Sequence, residues 1–426
     1  MSDASDPLSS RLVFQVPSYK RFWFARICST ISFQIVGVAV GWQIYALTHS
    51  TFALGMVGLV QFLPMLLLML VVGHVADRFD RKKILSVCQL IEGLTMASLA
   101  LCSYLGWLHT AGIYCAVFAV SVARAFESPS TQAIVPGLVE DSMVPAAIAW
   151  TSSANQTSCI VGPALGGLLY AFGAHVPYGL CAALFLSASI LSAAIHSRRE
   201  IPSKTPVTAT SLFSGIHYIR ERKNILGAIS LDLFVVLLGG ATALLPAYAR
   251  DLLHTGPWGL GLLRLAPAVG ALITSIYLAH YPIRHAAGRR MFTAVIVFGL
   301  ATIAFAFSRS MILSMLILIV LGCADVVSVV VRASLVQLET PDAMRGRVSA
   351  VNSLFIGTSN QLGEFESGVT ASWFGLIPST IIGGIGSIVI ALIWMKGFPD
   401  LRKLESLDRP TRGVMEEDEV AASNRK

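Results

Sequence analysis

Four carboxylates, Asp232, Asp325, Glu364 and Glu366, fall inside long apolar stretches of this 426-residue chain. A charged side chain at the centre of a bilayer is costly, so an acid retained there flags function. Loss of water disfavours the ionised form of a carboxyl, and that is the property a proton carrier needs near neutral pH. The competing role is a structural ion pair with Arg124, Arg264 or Arg332, which lie in similar stretches. Asp325 falls near the middle of its apolar segment and Asp232 nearer one end. Glu364 shares a helical face with Gly357, Asn360, Gln361 and Gly368 by i,i+3 and i,i+4 spacing, whereas Glu366 points elsewhere. Gln34 is a candidate cavity residue; Arg26, Trp42, Gln43, Gln61 and Glu92 add polar points, with Glu92 expected near the membrane interface.

Helices must carry these groups. The chain is 55% hydrophobic and only 13% charged, with a mean hydropathy of +0.70, far from the composition of a soluble domain. A spanning helix needs roughly 20 mostly apolar residues. Twelve such spans are expected, at about 22–47, 53–75, 84–105, 111–133, 146–172, 176–195, 224–248, 258–280, 291–308, 311–333, 348–374 and 378–396. Long apolar runs without period-two alternation select helices over a barrel. The fold class is an all-α membrane protein. It divides into a tail (1–21), a six-helix bundle (22–195), a basic linker (196–223), a second six-helix bundle (224–396) and a charged tail (397–426).

Basic residues set the orientation. Lys20 and Arg21 precede span 1; Arg78, Arg81, Lys82 and Lys83 fill the 2–3 loop; Arg198, Arg199, Lys204, Arg220, Arg222 and Lys223 fill the linker. Arg284, Arg289, Arg290, Arg345 and Arg347 fall on the same side, against only Arg250 and Arg309 on the other. Both termini of a multi-pass membrane protein are therefore expected in the cytoplasm. The first twenty residues are polar, so span 1 is expected to serve as an uncleaved insertion signal. The asymmetry and anionic lipid account for the net charge of +7, and nucleic acid is not an expected partner. In the linker, Leu212, Phe213, Ile216 and Ile219 recur at helical spacing opposite Ser214, His217, Arg220 and Glu221, the pattern of a short amphipathic surface helix.

All seven cysteines lie in apolar spans without metal-like spacing and are expected to be free packing thiols. Neither a metal nor a cofactor is expected. Nothing matches a nucleotide-binding loop, so ATP is not an expected partner. The absence of nucleophile–base spacing argues against an enzyme.

The two halves echo each other. Span 4 carries Arg124 and span 10 carries Arg332; span 5 has Asn155-Gln156 before Gly162, Gly166 and Gly167; span 11 has Asn360-Gln361 before Gly363 and Gly368. Between spans 2 and 3, Gly73-x-x-x-Asp77-Arg78-x-x-Arg81-Lys82 resembles the signature loop of major facilitator superfamily transporters, although Asp80 replaces that loop's second glycine and Val75 its leucine. Span 5 carries Gly162-Pro163-x-x-Gly166-Gly167, similar to a motif of proton-exchanging exporters in that superfamily, with Ser158 in place of its first glycine. Arg124 matches the position of the superfamily's helix-4 arginine. Ala25-Arg26, Gly37–Val40, Ala76-Asp77-Arg78, Leu244-Leu245-Pro246 and the stretch from Pro341-Asp342 to Arg345-Gly346-Arg347 resemble the enterobactin-exporter and macrolide-efflux-like branch.

The resemblance covers nearly the whole chain and implies a twelve-helix fold of two pseudo-symmetric bundles with a substrate site between them near the bilayer midplane. It implies that Asp77, supported by Arg78, Arg81 and Lys82, faces the start of helix 11 and locks the halves in one state. It further implies a monomeric, proton-coupled exporter of a small amphipathic compound, a siderophore or a drug. Import of a small metabolite remains the alternative, and a non-transporting sensor or scaffold is the alternative from another class.

Overall fold

The computed structural model describes residues 12–196, 209–283 and 285–405. The expected basic stretch 198–204 and Arg284 lie outside them, as does the tail from residue 406. The long helices are α1 (Pro17–Thr48), α2 (Thr51–Arg78), α3 (Arg81–Tyr104), α4 (Thr110–Ile134), α5 (Val144–Tyr170) and α6 (His175–Ala193). The amphipathic α7 (Ala209–Glu221) follows, then α8 (Lys223–Leu238), α9 (Pro257–His280), α10 (Ala287–Phe307), α11 (Met311–Glu339), α12 (Asp342–Phe374) and α13 (Leu376–Gly397). No strand occurs among the described residues.

Local chemistry sets the boundaries. Pro17 and Pro257 open α1 and α9 in first-turn positions, where a missing N–H costs nothing. Ser50 Oγ accepts from Ala53 N at 3.3 Å to cap α2, and Asp80 accepts from Lys82 N at 3.1 Å to cap α3. The residue that departs from the superfamily's loop pattern at Asp80 is thus a helix cap. Only Gly375, at φ +90, separates α12 from α13, a backbone conformation open to glycine.

Ten of these segments are long and apolar enough to cross a membrane. The two long helices that fall short are α5 and α12, which carry Asn155-Gln156 and Asn360-Gln361-Glu364-Glu366 respectively. Their polarity has a structural reason. Helices α1 to α6 pack among themselves, α8 to α13 do likewise, and the main contacts across run between α5 and α9 and between α2 and α12. A helix at such a seam faces protein and cavity more than lipid. Outside, Leu67, Leu94, Ile190, Ile312 and Ile393 are exposed, and Tyr104, Trp107, Phe172, Phe307 and Trp373 gather at the end of the short loops. That apolar surface with an aromatic rim is the surface of an integral membrane protein.

The seventh span departs from the expected continuous 224–248. Helix α8 stops at Leu238, and the chain passes through Gly239-Gly240, a 3-10 turn (Ala241–Leu244), a helical turn (Leu245–Ala247) and a π turn (Tyr248–Leu252). Two consecutive glycines weaken the helix and Pro246 removes a donor. The break lets the backbones of α8 and α12 meet: a Cβ on Gly240 would lie 2.7 Å from the Gly363 carbonyl oxygen. In α7, Ile219 is buried and Ile216 partly buried against Val348 and Val351 of α12, and Tyr218 Oη donates to the Glu339 carbonyl at 2.9 Å. The side chains of Leu212 and Phe213 lie outside the described residues.

Candidate functional site

Two tight seams close one end of the bundle. A Cβ on Gly167 of α5 would lie 2.8 Å from Gly261 Cα of α9, and one on Gly55 of α2 would lie 2.9 Å from Gly368 Cα of α12. Small residues permit such backbone approach between membrane helices. The helix-5 motif therefore divides its work. Gly162 and Gly166 seat α5 on Gln34 and Ile35 of α1, while Gly167 meets the other half. At the same end Tyr45 Oη donates to Asp251 across the halves.

Toward mid-depth from these seams lies a cavity shared by the two halves. Gln34, Gly37, Gly41, Gln61 and Ser121 line it from one half, and Ala243, Arg264 and Glu364 from the other. The adjoining space is lined by Gln156, Cys159, Asp325, Asn360 and again Glu364. Arg264 reaches across the interface: Cβ atoms on Gly37 and Gly41 would lie 3.0 and 3.5 Å from its guanidinium nitrogens. Those glycines make the slot for it. Arg264 and Glu364 interact electrostatically yet form no ion pair within 4.0 Å, so a cation and an anion face one cavity with room between them.

The other acids sit differently. Asp232 of α8 forms a buried ion pair with Arg332 of α11. Asp325, on α11, lines the space beside this pair. Glu366 bonds to hydroxyls of its own helix, accepting from Thr370 at 2.6 Å and Ser367 at 3.5 Å. Gln361 packs on Gly58, and its Oε1 is buried without a hydrogen-bond partner among the described residues.

The first half holds a cluster that the sequence only partly signalled. Glu127 of α4 accepts from Arg124 at 2.8 Å, Ser29 at 2.9 Å and Gln89 at 3.1 Å. Arg124 also lies 3.9 Å over the Phe33 ring. Arg26 of α1 donates to Asn155 of α5 at 3.5 Å. Glu92, expected near the membrane interface, is instead completely buried midway along α3. Its flanking residues Gln89 and Gly93 explain why: they face Ser192 and Leu186 of α6 inside the bundle. Glu127 was missed altogether; the available signal was its place one turn beyond Arg124.

In the 2–3 loop, Arg81 donates to the Ala133 carbonyl at the end of α4 at 2.7 Å. Lys82, half-buried, lies 3.7 Å from the exposed Asp80, and Arg78 is exposed. Gly73 and Asp77 belong to the last turns of α2; the surroundings of the Asp77 side chain lie outside the described residues. The seven cysteines are free, and the described residues contain no group of acids, histidines and cysteines able to hold a metal.

A membrane-embedded helical bundle whose halves meet at two seams around a polar, mid-depth cavity is a major facilitator transporter of small molecules. Residues 9–426 match the family model described as transmembrane secretion effector (MFS_3). The chain belongs to that family. It is 26% identical over 392 residues to the enterobactin exporter EntS of Citrobacter koseri, covering 91% of this chain and 93% of the relative. Similar solved structures include a bacterial homolog of the human lysosomal transporter Spinster, inward-facing and unoccupied, with a TM-score of 0.70, 14% identity and 94% and 97% of the two chains covered. The nucleoside transporter NupG superposes with a TM-score of 0.68 at 16% identity, over 89% and 99% of the chains.

Proposed function

We propose that the protein is a proton-coupled exporter of a small amphipathic compound, a siderophore or a drug, working by alternating access in the bacterial inner membrane. The observation that carries this reading is the cavity shared by the halves, in which Arg264 and Glu364 face each other out of contact. An unpaired buried charge is costly, so each awaits a proton, a substrate group or the other. The bundles 22–195 and 224–396 rock about this site as a monomer, joined by the linker 196–223, with both termini in the cytoplasm. Asp77 latches the cytoplasmic side, with Gly73 and the basic residues Arg78, Arg81 and Lys82 in support. The helix-5 motif and Gly368 close the opposite side. The EntS relative supports export and makes enterobactin the first compound to test. Neither ATP nor a cofactor is required.

Everted membrane vesicles test the reading. With an imposed inside-acid pH gradient, wild type should accumulate enterobactin or a fluorescent amphipathic dye, and collapse of the gradient should abolish accumulation. Glu364→Gln and Asp325→Asn keep shape and hydrogen bonding while removing titration. At least one should lose gradient-driven transport while retaining downhill exchange, and Glu366→Gln should be the mildest. Full gradient-driven transport in all three would move coupling to Asp232 or elsewhere. Accumulation only under the reverse gradient would mark an importer.

A further inference from the structure

The N-terminal half contains a buried acid that the central cavity does not explain. Glu92 is completely buried, and neither of its carboxyl oxygens has a hydrogen-bond partner among the described residues. The groups that act on it electrostatically are Glu127 and Arg124 of α4 and Arg26 of α1. Cys88 lies on its own helix, and Cys159 of α5 interacts with the same two arginines. Helix α6, packed along α3, presents Leu186, Ser189 and Ser192 to this stretch.

The nearest donors bond elsewhere. Ser29, Gln89 and Arg124 all give hydrogen bonds to Glu127, and Arg26 gives a long one to Asn155. An ionised carboxylate left buried without a donor costs several kcal/mol, and a neutral carboxyl much less. Glu92 therefore holds a proton in this arrangement. The central cavity is close by: Met96, one turn along α3, and Ser121, one turn before Arg124, both line it. When the proton leaves, the new carboxylate needs a cation, and Arg26 has the weakest existing bond, at 3.5 Å. Asn155, its present partner, belongs to α5, the helix that forms the seam with α9.

We propose that Glu92 is a proton-binding site of the N-terminal half, and that Arg26 trades Asn155 for Glu92 when the proton departs, which transmits the event to the α5–α9 seam. The step is one proton passing from the Glu92 carboxyl to water in the cavity, balanced by the approach of Arg26. This inference rests on the proton-coupled reading above, so its test has an arm independent of transport.

That arm is infrared spectroscopy of the full-length protein in lipid nanodiscs at neutral pH, with and without ¹³C-labelled glutamate. A C=O stretching band of a non-ionised glutamic acid should be present and should lose amplitude in Glu92→Gln, with Glu92→Leu as a second non-titrating variant if the first does not fold. An absent glutamic acid band, or one undiminished in both variants, overturns the proposal. In proteoliposomes carrying the dye, Glu92→Gln should lower pH-gradient-driven transport at least about tenfold while downhill exchange stays within about twofold. Gradient-driven transport at the wild-type rate overturns the coupling role. Wild type that ignores the gradient defeats the proton-coupled reading instead, and the infrared result still decides whether Glu92 binds a proton.

Discussion

The two halves bury their charges in contrasting ways. In the N-terminal half, Glu127 is surrounded by donors from three helices while Glu92 beside it has none. In the C-terminal half, Asp232 and Arg332 form a closed pair and Asp325 stands next to it on a cavity wall. Both clusters join the first and fourth helices of their repeat, so the scaffold is the same and the wiring differs. One arrangement leaves a carboxyl buried without a donor, the other leaves one facing open space. The difference teaches that repeat symmetry fixes where charge is placed, whereas neighbouring donors decide which acid is free to exchange a proton.

The comparison breaks most severely at the C-terminal pair. Asp232→Asn should leave Arg332 buried and unpaired, at a cost of about 3–5 kcal/mol. The fraction of monodisperse protein surviving heat in detergent should fall sharply, and Asp232→Asn/Arg332→Gln should recover most of it. A double variant no better than the single one would make the pair incidental.

A smaller effect is expected at the seams. Gly368→Ala overpacks α2 against α12, at about 1–3 kcal/mol, and should favour the state open at the short-loop end. In protein retaining Cys159 as its only thiol, reaction from that side should rise. Gly167→Ala, at the other seam, should act in the same direction; unchanged reactivity in both would deny the seams a gating role.

The smallest change is Asp77→Asn. A charge–dipole contact of the proposed kind is worth about 0.3–1 kcal/mol, enough to shift a population up to about fivefold. Transport should drop more than membrane expression does, and wild-type turnover would reduce the loop to a topology signal. Orientation is checked separately with single cysteines in place of His217 and His109 in a cysteine-free background. In intact cells an impermeant thiol reagent should label the His109 position alone.

Most of the helical architecture was legible because apolar length is a direct consequence of the bilayer. Spans 5 and 11 are counted among the apolar spans, although their polar residues weaken that signal. The break after Leu238 was not foreseen, because Gly239-Gly240 and Pro246 are as compatible with a bent span as with an interrupted one. Among the site residues, Glu364, Asp325 and Gln34 line the cavity spaces, while Gln43 is held by Tyr178 at 2.6 Å as a packing contact. Arg264 was seen only as a pairing partner; its slot between Gly37 and Gly41 depends on a crossing of α1 and α9 that no local pattern encodes. The same holds for Glu92, whose isolation follows from where other side chains spend their donors.

The central claim is that the halves exchange access around one cavity, and distances across both ends test it most directly. Spin labels at Tyr104 and Phe307 report the end closed by the seams, and labels at Phe79 and Lys396 report the opposite end. In lipid, between neutral and acidic pH or with enterobactin added, one pair should lengthen as the other shortens. Two distances that stay fixed under every condition, or that lengthen together, would contradict alternating access.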